Sequence, residues 1–218
     1  MKTLTWILLF FPTALLAQLH LQNVTNPALD LNRNFSEIYL GDTYQKWKNL
    51  LSDKDVQGIS VFSYTFKSDS CCNAVFGNST SFVTVTFQND TVVSIRIELK
   101  SFFEDKKLMS AADVKKAIEG AATNYAMINK RFTTLFGDPY ASHSNEHHVP
   151  NEPAAIAQWR GVNTFLETIY YYYPAVYPPS RRVGPAAGLT EKLEEMRDKT
   201  VVILSDLNFL KSKLKSEF

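Results

Sequence analysis

The chain has 218 residues, 45% hydrophobic and 21% charged, which is enough apolar material for one large domain or two small ones. Its 23 Lys and Arg against 22 Asp and Glu leave a formal charge of +1. That balance excludes the strongly basic field of a nucleic-acid binder and gives no bulk attraction to an anionic membrane surface.

Met1 and Lys2 make a short basic start, Leu4 to Leu16 is almost wholly apolar, and Ala17 is a small residue before Gln18. This order of charge, apolar core and small residue reads as a signal peptide over residues 1–17. The apolar run is shorter than the roughly 20 residues that cross a bilayer as a helix. The expectation is a secreted or periplasmic protein with no transmembrane segment after cleavage. Without Lys2, the mature chain carries 22 basic and 22 acidic residues.

Residues 18–34 are polar and Asn-rich, and read as a flexible N-terminal arm before a single domain over 35–218. Phe35 to Leu40 is predicted as a short strand. Asp42 or Thr43 then caps a short helix whose apolar stripe is Tyr44, Trp47 and Leu51. Ser52 to Gly58 is charged and reads as a loop, and Ile59 to Lys67 as a strand. A polar loop from Ser68 to Thr80 holds the only two cysteines, Cys71 and Cys72. Adjacent Cα atoms lie about 3.8 Å apart, less than the roughly 4.4–6.8 Å a disulfide usually spans. Three states fit the pair: a strained vicinal disulfide, an intermolecular bridge, or two thiols kept by burial. No Cys-His pattern accompanies them, so the stretch reads first as a loop without chemistry.

Val83, Val85 and Phe87 alternate with threonines, Asn89-Asp90 turns the chain, and Val93, Ile95, Ile97 and Leu99 alternate with Ser94, Arg96 and Glu98. This is the pattern of an antiparallel hairpin with one face on the core. A long helix follows. Ser110 and Asp113 start it, a stripe at three- and four-residue steps runs from Val114 to Leu135, and Gly137 and Pro139 stop it. Tyr140 to Pro153 reads as a polar loop, and Ala154 to Arg160 and Asn163 to Tyr173 as two strands. Pro174 to Gly188 reads as a Pro/Gly-rich loop, Leu189 to Lys199 as an exposed helix, Val201 to Leu204 as a buried strand, and Leu207 to Lys215 as a terminal helix. The predicted class is α+β, an antiparallel sheet covered by the long helix. A repeated helix-then-strands order suggests tandem half-units over 35–109 and 110–218.

Gly41-Asp42-Thr43-Tyr44-Gln45-Lys46-Trp47 resembles the helix start of small exported bacterial modules, the outer-membrane-assembly small lipoproteins and the β-lactamase-inhibitor-protein-like proteins. Leu135-Phe136-Gly137-Asp138-Pro139 is similar to the helix ending of the same modules. The resemblance implies a helix-over-sheet fold and a binding or scaffolding role.

Two constellations bear on chemistry. His143, Glu146 and His147 match the H-x-x-E-H pattern in which two imidazoles hold zinc and the carboxylate polarises the bound water, with His148 beside them. That chemistry needs a helix to bring His143 and His147 to one face, whereas Ser144-Asn145 and the prolines at 150 and 153 point to a loop. Tyr170 to Tyr173 form a β-forming run in which Tyr171 and Tyr173 share a face, with Tyr177 and Arg181 beyond. Exposed tyrosines beside arginine stack on sugars, aromatic peptides or bases. Four Asn-x-Ser/Thr triplets, at Asn23, Asn34, Asn78 and Asn89, are glycan acceptors only in a host that glycosylates them. The function expected from these features is a non-enzymatic binding or envelope-associated module with a protein or glycan partner at Tyr171, Tyr173, Tyr177 and Arg181, and with no cofactor or nucleic acid. The alternative is a metal-dependent hydrolase built on His143, Glu146 and His147.

Overall fold

The computed structural model describes residues 25–56, 60–67, 72–101, 111–145, 152–173 and 197–216. In chain order these form α1 (Pro27–Leu31), β1 (Asn34–Phe35), β2 (Ile38–Tyr39), α2 (Tyr44–Trp47), β3 (Leu51–Val56), β4 (Val61–Phe66), β5 (Ala74–Val75), β6 (Asn78–Gln88), β7 (Thr91–Leu99), α3 (Ala111–Phe136), β8 (Ala141–Ser144), β9 (Ala155–Arg160), β10 (Thr164–Tyr173), β11 (Arg197–Asp206) and α4 (Leu207–Ser216).

One nine-stranded sheet organises the molecule, in the order β3-β4-β6-β7-β11-β10-β9-β8 with β5 attached to β6. β1 and β2 make a separate ribbon. The β6–β7 hairpin turns at Asn89 and Asp90, whose φ values of 50° and 61° are those of a tight two-residue turn matched to strand twist. The last strand, β11, lies between β7 and β10, so the sheet is closed across its middle by a pairing distant in sequence. Leu166, Leu204, Ile95 and Val85 follow one another across the strands on one face, and all are buried. The other face carries a row of hydroxyls: Ser63 and Thr86 are hydrogen-bonded at 2.8 Å, and Ser94 and Ser205 at 2.7 Å. A register shift at the start of β7 sets both Val92 and Ile95 into the core.

The expected α+β class, with a long helix covering the sheet, is overturned. Strand outweighs helix, and the architecture is one large antiparallel sheet. α3 is 26 residues long and is anchored on the sheet at β9 and β10. There Phe132 packs on Trp159, and the Tyr125 hydroxyl reaches Thr168. Trp159 Nε1 donates to the carbonyl of Gly137 at 2.8 Å, which ties down the end of the helix. The opposite end of the same face is closed by α2, through Tyr44 on Tyr64 and Phe87 and through Trp47 on Phe66.

Two strands were hidden because they are polar. β3 (Leu-Ser-Asp-Lys-Asp-Val) and β8 (Ala-Ser-His-Ser) are the two edges of the sheet. Edge strands are kept polar or charged because an apolar edge recruits other chains. The second half of the predicted arm is likewise structured: Leu29 of α1 is wholly buried, and Asp30 accepts from the backbone N–H of Val162 and Asn163. Arg197 to Lys199, expected in a helix, belong to β11. The predicted signal peptide over 1–17 lies outside the described residues. Among those residues, no helix is long and apolar enough to cross a membrane.

Candidate functional site

A cavity of about 290 Å³ lies between the C-terminal turns of α3, the sheet, and the segments at β1 and β5. Its floor is Ile97 of β7, Leu204 of β11 and Leu166 of β10, each at most 2% exposed. Phe132 and Phe136 of α3 form one wall. The helical stripe predicted this wall in part. That stripe ended at Leu135, but Phe136 is buried beside Phe132, while Leu135 is 55% exposed and stands at the mouth with Phe76.

The roof is local chain geometry. Ser36, Cys72 and Phe76 all line the cavity, and each has left-handed backbone, with φ of 51°, 57° and 49°. A bulky residue adopts this conformation only when its surroundings compensate. For Phe76 the compensation is edge packing on Phe132, with ring centroids 4.9 Å apart. Gly77, at φ 84°, continues the turn that returns the chain into β6. The Cys72 thiol is buried and directed at the carbonyl of Phe35, 3.7 Å away.

The polar rim is small. Asn32 Nδ2 donates to the carbonyl of Ala28 at 2.8 Å, and Asn34 Nδ2 to that of Ser36 at 2.7 Å. These two side chains and Ser36 supply the polar part of the lining. No Lys, Arg, Asp or Glu lines the cavity among the described residues, and Cys72 is the single titratable side chain there. The arrangement offers apolar surface with a small uncharged polar rim. Among the described lining residues no base stands beside the thiol.

Of the candidate site residues singled out from sequence that are described, only Cys72 lines the cavity. Tyr171 is half-buried on β10 and registers with Lys199 of β11. Tyr173 registers with Arg197 at the end of the same pair. His143 is exposed on the edge strand β8, opposite Ile156 of β9. Its extended backbone is not the helix that the zinc pattern needs, and β9 separates it from the strand of Tyr171 by two interstrand spacings, about 10 Å. Glu146, His147, His148, Tyr177, Arg181 and Cys71 lie outside the described residues. The cavity residues missed in the sequence were Phe35, Val75 and Phe76. The signal was present: Ala74-Val75-Phe76 is an apolar triplet inside an otherwise polar loop, and such a triplet has to dock somewhere.

No protein-family model, curated protein or solved structure matches this chain.

Proposed function

We propose that this chain is an exported, non-enzymatic binding protein, and that its ligand is a small, uncharged, largely apolar molecule held in the cavity between α3 and the sheet. Export rests on the leader-like order of Met1 to Ala17. The ligand class rests on one observation: an apolar cavity whose floor and wall are buried and whose mouth carries exposed Phe76 and Leu135. Protein interiors are normally filled to crystal-like density. Water gains little in such a site, because it needs two to four polar partners and the lining supplies few. At about 290 Å³ the space falls at the small end of the roughly 300–1,000 Å³ typical of ligand pockets. The polar rim of Asn32, Asn34 and Ser36 suits a hydroxyl or amide at one end of the ligand, and the described lining offers a carboxylate no cation.

The test is titration of the protein with a neutral, environment-sensitive naphthylamine dye. Saturable one-site binding is expected. Ala74 is exposed and lines the cavity, so Ala74→Phe obstructs the site without cutting into the core. This substitution is expected to weaken dye binding by about tenfold or more while leaving the thermal midpoint nearly unchanged. Equal affinity in the two proteins would remove the cavity from consideration.

A further inference from the structure

A second pocket, about 510 Å³, opens on the opposite face of the sheet, between β9, β10 and α4. Its chemistry differs from that of the first. Arg160 and Phe165, cross-strand neighbours on β9 and β10, form its base, with Tyr140 beside them. The Tyr140 and Phe165 rings meet edge to face at 6.4 Å. Leu207, Leu210, Lys211 and Lys213 of α4 form the remaining wall. Leu207, Leu210 and Lys213 step by three, and Lys211 lies four after Leu207, so the two lysines flank the apolar pair.

α4 is fixed in place at its start. Asp206 Oδ1 accepts from the backbone N–H of Asn208 and Phe209, and Leu207 N donates to the carbonyl of Asn163 at 2.8 Å. Three cationic side chains therefore converge on a pocket whose lining, among the described residues, contains no carboxylate. Neighbouring acids are engaged elsewhere, Asp30 with the backbone N–H of Val162 and Asn163 among them. Glu167 Oε1 accepts from Gln158 Nε2 at 2.5 Å, and Asp206 pairs with Arg33 at 2.8 Å. Arg160 Nε is buried and has no hydrogen-bond partner among the described residues. A buried guanidinium nitrogen without a partner is costly, and buried charges are normally paired. A guanidinium N–H pairs best with an anionic hydrogen-bond acceptor, and its fork matches carboxylate and phosphate oxygens.

We propose that the pocket between Arg160 and α4 binds an organic anion, its charged head on Arg160 with Lys211 and Lys213 at the rim and its apolar body against Phe165, Leu207 and Leu210. This site is independent of the apolar cavity, and its ligand class is the opposite one.

Calorimetric titration of the full-length protein tests it with phenyl phosphate, inorganic phosphate and benzyl alcohol. Phenyl phosphate is expected to bind at one saturable site. Inorganic phosphate should bind about tenfold more weakly because it lacks the apolar body, and benzyl alcohol should not compete. Arg160→Gln should weaken phenyl phosphate by at least about tenfold, and the double substitution of Lys211→Gln and Lys213→Gln by severalfold. Both lysines are exposed on α4, so the double variant decides the matter if Arg160→Gln fails to fold. Affinity unchanged by the lysine pair, equal binding of inorganic and phenyl phosphate, or displacement by benzyl alcohol would each overturn the assignment. So would binding to anionic phospholipid vesicles by a protein that takes up no phenyl phosphate, because the ligand would then be a charged surface and not a pocket occupant.

Discussion

Asp42 shows how much a single side chain organises. Its carboxylate accepts from the backbone N–H of Tyr39 and from Trp47 Nε1, both at 3.0 Å, and from Lys46 Nζ at 2.9 Å. Burial alone would raise its pKa, but the bonds from Tyr39, Lys46 and Trp47 together bring it below the ordinary 3.8. A carboxylate with a depressed folded-state pKa stabilises the fold fully above its unfolded pKa. That stabilisation is lost as pH falls through the folded value. Denaturant midpoints of the parent protein and Asp42→Asn, measured from pH 7 to pH 2, should therefore differ most near neutrality and converge below about pH 4. A gap of constant size across that range would mean that Asp42 acts through shape and not through charge. The sequence pointed to Asp42 or Thr43 as a cap for α2. The Thr43 side chain makes no capping bond, and Asp42 works across the turn. The reach to Trp47 is a five-residue step that capping rules do not contain.

At the scale of elements, the joint between α1 and the β9–β10 turn is the most stringent. A Cβ on Gly161 would stand 2.6 Å from Asp30 Oδ2. The carboxylate would have to leave the backbone N–H groups of Val162 and Asn163, to which it bonds at 2.6 and 2.9 Å. Gly161→Ala should then cost about 1–3 kcal/mol in urea unfolding. In an Asp30→Ala background the same substitution should cost far less, because the clash and the bonds vanish together. Additive costs would show that the crowding is relieved in some other way. Long elements with strong periodicity were legible from sequence: the β6–β7 hairpin, the stripe of α3, and the strands β9 and β10. Short polar elements were not. β3 and β8 have an edge strand's composition, which matches that of a loop, and α1 is a five-residue helix held by tertiary contacts rather than by propensity.

For the whole molecule, the class was misjudged because helical periodicity is conspicuous in sequence and edge strands are not. The error hid a sheet that runs unbroken through both supposed half-units, joined where β11 enters between β7 and β10. The candidate site was even less legible. Its floor comes from β7, β10 and β11, its wall from α3, and its roof from the left-handed turns at Ser36, Cys72 and Phe76. No local pattern records such a meeting of distant segments, whereas runs such as the tyrosines of β10 and the histidines after Ala141 attract attention through composition alone. The central claim is that the cavity between α3 and the sheet receives a small neutral apolar molecule. The most direct measurement is methyl NMR of the full protein titrated with cyclohexanol. The account predicts that the methyl resonances of Ile97, Leu166 and Leu204 shift together and saturate at one equivalent site. Shifts confined to surface methyls, or none that saturate, would contradict it.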